Sequence, residues 1–230
     1  VTAQARPATA VAETKQAVAD AADEMLVSRP KQILFGDLHV HTTFSFDAFM
    51  LSLPFQGGEG SHPPADACDF ARFCSALDFW SINDHAESIT PQHWDETIES
   101  VRACNAVAGE STEPDTVAFL GWEWTQVGTT PENHYGHKNI VLRDLEDENI
   151  PTRPIGSLMT RNQMITANPF GGFAAGALIH GVGDERLHSL SKFFAERTAL
   201  DICPLGVPVR DLPDACIEVV DTPDPLFQKL

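Results

Sequence analysis

The chain has no apolar run approaching the roughly 18 residues that a membrane-spanning helix requires, so a transmembrane helix is excluded. It is also short of basic residues: 15 Lys and Arg against 33 Asp and Glu leave a net charge of −18. Proteins that grip a nucleic-acid backbone carry a basic face, and that class is excluded as well. A very acidic protein still binds small phosphate esters where metal cations supply the positive potential locally. The five cysteines (Cys68, Cys74, Cys104, Cys203, Cys216) are odd in number and contain no C-x-x-C. They suggest neither a disulfide framework nor a zinc ribbon, and small buried residues are the expectation, with room for one bridge between distant cysteines. There is no repeat and no low-complexity segment. The start at Val1 rather than Met is expected of a processed chain or a fragment. A removed export signal would account for the polar, Ala-rich beginning, and both exported and cytoplasmic compartments stay open.

What is present fits one main domain, long enough to bury roughly 70% of the surface of the unfolded chain. Residues 1–10 read as disordered, and 11–27 as a weak Ala-rich helix closed by Ser28-Arg29-Pro30 that packs outside the fold or tethers it. Residues 1–30 are therefore set apart from a domain over 31–230. Its first strand runs over 33–41, with Ile33, Leu34 and Phe35 expected to be buried. A Gly- and Pro-containing loop follows over 54–64. Ala67, Phe70, Ala71, Cys74 and Leu77 then recur at helical spacing over 64–76. A strand over 78–83 leads to Thr90, which caps a helix with Pro91 in its first turn and Trp94, Ile98, Val101 and Ala108 inward.

Strands over 117–124 and 137–142 come next, then an acidic turn over 144–149 that lacks the spacing of a calcium loop. Residues 150–172 read as irregular, 177–180 as a short strand and 184–197 as a helix with Leu187, Leu190 and Phe194 inward. A Pro-rich loop, a strand over 216–220 and a helix opened by Asp224-Pro225 finish the chain. Alternating strands and helices argue for an α/β fold with parallel strands, whose functional groups collect at the C-terminal strand ends.

The candidate residues fall at such ends. Asp37, His39 and His41 alternate along the first strand, and side chains two apart share a face. Both imidazoles can then reach one divalent cation, and Asp47, six residues after His41, can fold back over it. The plain alternative is two solvated strand histidines. His85, Glu123 and His137 also lie at strand ends or beginnings, which favours a metal site. His134 competes with His137 for the ligand role. His180 is read either as a later ligand or as structural. His62, His93 and His188 are expected at the surface. Trp122 and Trp124 are expected to brace the core, and Cys68 and Cys74 to straddle a helix face.

In order, GDLHVHTTFSFDA, SINDHAE, GWEW and HYGHKNIVL resemble the successive motifs of the PHP superfamily (polymerase and histidinol phosphatase). Within it they resemble a branch known only as a domain of unknown function (DUF family 3604). The likeness runs from Gln32 to about Leu142 and is looser over 143–230. It implies a distorted (β/α)7 TIM-like barrel holding two or three divalent transition-metal ions (Zn, Mn or Fe). The activity implied is hydrolysis of a small phosphate mono- or diester by a metal-bridging hydroxide.

Carried over, His39 and His41 hold the first metal, and Glu123 bridges it to a second whose other ligand is His137. Asp47 and His85 hold a third. Asp37 and Asp84 are placed to orient an imidazole, and Glu123 and Asp84 are the catalytic pair. Imidazoles with few carboxylates suit these metals better than calcium. The alternatives are an amidohydrolase-like enzyme cutting C–N or C–O bonds, and a non-catalytic metal-binding module. Amidohydrolases usually place a bridging Lys where Glu123 stands. The family pattern closes with a late Asp-x-His, and no histidine follows His188. The expectation is a catalytic domain incomplete at its C-terminus, with the native polypeptide continuing beyond Leu230.

Overall fold

Alternation over residues 36–40 does produce a strand. In the computed structural model, which describes residues 4–27, 33–53, 57–110, 113–166 and 185–230, β1 spans Gly36–Val40. Its neighbours are β2 (Phe79–Ile82), β3 (Val117–Gln126) and β4 (Gly136–Leu142), in the order β1-β2-β3-β4. The first three run parallel, while β4 returns antiparallel to β3, with Thr125 opposite His137. The all-parallel expectation fails at β4 because only a short turn separates it from β3, too short for a crossover helix. Gly136 supports that return with φ of +72°, a conformation L side chains rarely adopt. This sheet curls into a half-barrel.

A second sheet takes the order β5-β7-β6, all parallel, from Ile155–Ser157, Cys216–Val220 and Asp201–Ile202. The central strand β7 is buried throughout, as a parallel strand covered on both faces should be. The sheets meet where the Trp122 indole donates to the Ile155 carbonyl at 3.0 Å.

Seven α-helices are described: α1 (Ala8–Glu24), α2 (Phe46–Ser52), α3 (Pro64–Asp69), α4 (Pro91–Ala106), α5 (Leu158–Thr166), α6 (Glu185–Thr198) and α7 (Pro223–Lys229). In α4, Thr90 accepts the backbone N–H of His93, and Trp94, Ile98 and Val101 face the core, with Ala108 buried just beyond. All four tryptophans are buried, Trp94 and Trp122 edge to face at 5.7 Å. Such a pair adds about 1 kcal/mol beyond its buried area.

Several expectations are corrected. Ile33 and Phe35 are 72% and 69% exposed, because they lead into an edge strand rather than a central one. The helix over 64–76 widens at Asp69 into a π-turn, Phe70–Cys74. The extra residue per turn rotates the face, so Phe70 and Cys74 point outward and Arg72 inward. There Arg72 pairs with buried Asp115 at 3.0 Å. Four cysteines form two bridges, Cys68–Cys104 between α3 and α4 and Cys203–Cys216 beside β7, leaving Cys74 free and exposed.

Of residues 1–10, expected to be disordered, the described part is docked: the Arg6 backbone N–H donates to Asp115 at 2.5 Å and α1 begins at Ala8. Residues 150–172 contain β5 and α5, elements too short and too weakly periodic to stand out. In α6 Phe193 is buried and Phe194 only partly so. The expected strand over 177–180 with His180, and the expected placements of Leu187, His188 and Leu190, lie outside the described residues.

Candidate metal centre

Five of the six ligand-type side chains sit on or just beside strands, and the sixth, Asp47, comes from helix α2. β1 carries a bulge between Asp37 and Val40, where its Leu38 and His39 oppose the single Ser81 of β2, the kind of irregularity that redirects side chains near sites. His39 and His41 leave it with their Nε2 atoms 3.0 Å apart, each 2.9 Å from Glu123 Oε2. Glu123 sits on β3, two residues before Thr125 and therefore on the same face. Residues directly opposite in an antiparallel pair also share a face, which brings in His137 from β4. Its Nδ1 contacts Glu123 Oε1. The two Glu123 oxygens thus serve different histidines, and the carboxylate itself is 1% exposed.

Asp47 lies in the first turn of α2, fastened by the Ser45 hydroxyl at 2.6 Å and the Ala48 N–H at 2.7 Å. Its oxygens stand 3.2 Å from His41 Nδ1 and 3.4 Å from His85 Nε2. His85, just past β2, is buried, and its Nδ1 is 2.9 Å from the Thr125 hydroxyl. That hydroxyl also touches Glu123 and His137, at 2.9 and 3.1 Å.

Three groups of possible donors result, each within 4.8 Å: His39, His41 and Glu123; His41, Asp47 and His85; His85, Glu123 and His137. All six residues singled out as ligands in the sequence are together. Their spacing and chemistry, imidazole-rich with two carboxylates, fit two or three borderline transition-metal ions. His39 and His137 have half-exposed side chains, at 50% and 53%, so the cluster opens to solvent between β1 and β4. His134 is exposed, near the Gly128 carbonyl at 3.1 Å, and takes no part in these groups.

The electrostatics follow from crowding. Burial opposes charge on His41, but hydrogen bonds to Asp47 and Glu123 outweigh it and raise the imidazole to about 10. Burial pushes Asp47 and Glu123 upward, yet their histidine contacts win and hold both well below the usual carboxylate range. Protons between these groups stand where a cation would go, since a metal ligand must shed its proton.

Asp84 and Asp37 are placed differently from expectation. Asp84 is buried and accepts from the Thr42 N–H at 2.5 Å and the Thr42 hydroxyl at 2.7 Å, holding the turn after His41 instead of an imidazole. Burial lifts its carboxyl to about 6 despite those bonds. Asp37 accepts the His39 backbone N–H at 2.9 Å. The imidazole of His85 is oriented by Thr125, and Asp47 by Ser45. Neither residue draws notice in the sequence, although the two-residue step from Glu123 to Thr125 is the signal that finds the first.

Glu87 is a further buried carboxylate behind the centre, accepting from the N–H groups of Ser157 at 2.6 Å and Thr125 at 3.2 Å. It ties the second sheet to the strand bearing Glu123. His93 is half-buried, correcting its expected surface position, and packs on Phe44 with ring centres 4.4 Å apart.

No described helix is long and apolar enough to cross a membrane. No curated protein and no solved structure matches the chain. Residues 28–91, the stretch that contains β1, Asp47 and His85, match the family described as Protein of unknown function (DUF3604).

Proposed function

We propose that this chain is a metal-dependent hydrolase of the PHP type that cleaves small phosphate mono- or diesters, its two sheets being parts of a distorted (β/α)7 barrel. The observation that supports it most is Glu123, whose two oxygens face separate histidine sets at the meeting point of four chain segments. His39, His41, Asp47, His85, Glu123 and His137 would hold two or three Zn, Mn or Fe ions. Bound there, such ions supply Lewis acidity toward a phosphoryl oxygen and acidify water in the cleft.

The chain's own residues do the rest. Glu123 fixes the two histidine sets relative to each other. Thr125 sets the ring of His85 through its Nδ1, leaving Nε2 toward Asp47. Half-exposed His39 and His137 frame the opening through which an ester enters. The Ser45 hydroxyl beside the centre is buried and donates to Asp47, a supporting role in this reading. An amidohydrolase reading wants a lysine in the bridging place. Lys138 instead donates to the Tyr135 carbonyl at 2.5 Å and lies over Trp124.

Elemental analysis of the purified chain, with turnover on an aryl phosphate and a diester panel, tests the reading. Replacing His39 and His41 together by Ala should strip at least one ion and abolish turnover. Unchanged metal content in that double variant would sink the ligand assignment. Full metal content without turnover on any ester would leave a non-catalytic binding module.

A further inference from the structure

The segment that carries Asp47 has a second face. While Asp47 and Phe46 look toward His85, Phe44 and Phe49 line a separate cavity of about 280 Å³, closed on its far side by α6. That is near the lower end of small-molecule sites, roughly 300–1,000 Å³, and too large for a bare ion. Its walls combine rings with two cations, Lys192 and Arg197, and one carboxylate, Glu196. Phe49 stacks on Phe193 at 4.0 Å, and Arg197 lies 3.5 Å over the Phe193 ring, with Lys192 beside them.

Arg197 is 3% exposed and poorly balanced. One of its amino groups donates to the Phe193 carbonyl at 3.3 Å and to Glu196 at 3.2 Å; the other lies 3.3 Å from His93 Nδ1. Among the described residues its Nε has no partner. The one carboxylate touching it, Glu196, is half exposed, so solvent weakens the pairing. Burial pushes the guanidinium down to about 10, partly offset by Glu196 and the nearby charge of Asp84. Asp84 is the buried carboxylate whose charge reaches Arg197, but its oxygens are engaged with Thr42, and an incoming anion would give the guanidinium a direct partner. Burial and the charge of Arg197 hold the His93 imidazole below its ordinary value, and its ring joins the cavity wall.

We infer that this cavity binds a small ring-bearing organic anion, its charge against Lys192 and Arg197 and its ring among Phe44, Phe49 and Phe193. That the anion is the non-reacting end of an ester held at the metal centre rests on the hydrolase reading; the binding itself does not. The two can therefore fail separately. The full chain, stripped of metal with chelator, is titrated with benzoate and with inorganic phosphate and followed by NMR.

Benzoate should bind saturably, and inorganic phosphate at least tenfold more weakly. Lys192→Ala should weaken benzoate about tenfold, the loss of one charge-assisted contact. The His39→Ala/His41→Ala double variant should bind benzoate as the unaltered chain does. Lys192 is exposed, so its replacement leaves the fold intact where Arg197→Gln risks it. Equal benzoate affinity with and without Lys192, phosphate binding as tightly as benzoate, or no saturable binding would each overturn the inference.

Discussion

Around the four-stranded sheet, charged and polar groups crowd together at strand ends, half open to solvent and with more acceptors than one set of protons can serve. Around the three-stranded sheet, by contrast, they are buried and anchored to neighbouring elements, although Arg153 Nε and Glu218 Oε2 have no partner among the described residues. Arg153 there donates to the Pro213 carbonyl at 2.7 Å and the Cys216 carbonyl at 3.1 Å, and Lys229 meets buried Glu218 at 2.5 Å. All six ligand-type residues belong to the first sheet and its loops. The difference separates two uses of buried charge. Groups whose partners lie on neighbouring elements lock those elements together, whereas imidazoles and carboxylates crowded around one centre are arranged so that a cation could organise them. Substitutions in the first region should therefore act on chemistry, and those in the second on folding.

The largest effect is expected at Glu123. Glu123→Gln keeps the shape but loses the charge that faces both histidine sets, and turnover should fall by roughly 10³-fold or more. The fold should survive, because the amide still reaches Thr125. Steady-state kinetics beside a thermal melt checks both halves. Near-normal turnover in Glu123→Gln, with loss in Asp47→Asn, would move the bridging role to Asp47.

Next come the two bridges, which should do the reverse. Cys68–Cys104 closes a separation of 36 residues and Cys203–Cys216 one of 13. Chain-entropy reasoning gives about 4 and 3 kcal/mol for their removal as paired serines. Urea unfolding measures each loss, and activity per folded molecule should stay level. If opening Cys203–Cys216 abolished turnover in folded protein, the separation of scaffold from centre would be lost.

How far this contrast could be read from the residues alone depends on what sets each feature. The ligands were legible because period-two spacing in Asp37-Leu38-His39-Val40-His41, and polar residues ending apolar runs at His85 and Glu123, are local consequences of strand geometry. His137 was legible beside His134 only once the register paired it with Thr125. Edges are not local: Ile33, Leu34 and Phe35 look like core residues and are exposed because, among the described residues, β1 has a strand partner on one side alone. Pairing of cysteines is not local either, since five cysteines at these spacings name no bridge. The π-turn at Phe70–Cys74 was hidden for a third reason. Helical spacing there fits an ordinary α-helix equally well, and what selects the wider turn is the pull of Arg72 toward Asp115.

A smaller effect on chemistry is expected from Thr125. Its hydroxyl reaches His85, Glu123 and His137 at once, so it positions ligands without being one. Thr125→Val keeps the branched strand shape and removes the oxygen. Supporting contacts of this kind cost 10–100-fold in metal affinity or activity when lost, and a drop of about that size is expected. Thr125→Ser should restore most of it. A competitive chelator titration reads the metal affinity; equal affinity in Thr125→Val and the unaltered chain would leave His85 oriented by packing against Phe46.

The smallest effect sits between the two regions, at Thr90. Its hydroxyl accepts the His93 N–H at 3.2 Å at the start of α4, the helix that packs Trp94 against Trp122 beneath the centre. Capping threonines replaced by alanine cost about 1 kcal/mol, and Thr90→Ala should lower unfolding free energy by that much. Metal content should be unchanged, because the buried apolar face of α4, Trp94 included, still packs on β3 without the cap. The same hydroxyl is 3.0 Å from His93 Nδ1, so its loss also frees the ring that Arg197 approaches. Thr90→Ser, which retains both contacts, should behave as the unaltered chain. Were Thr90→Ala to release metal while losing only this small amount of stability, the helix start would be part of the centre. The line between scaffold and chemistry would then have to be drawn on the other side of α4.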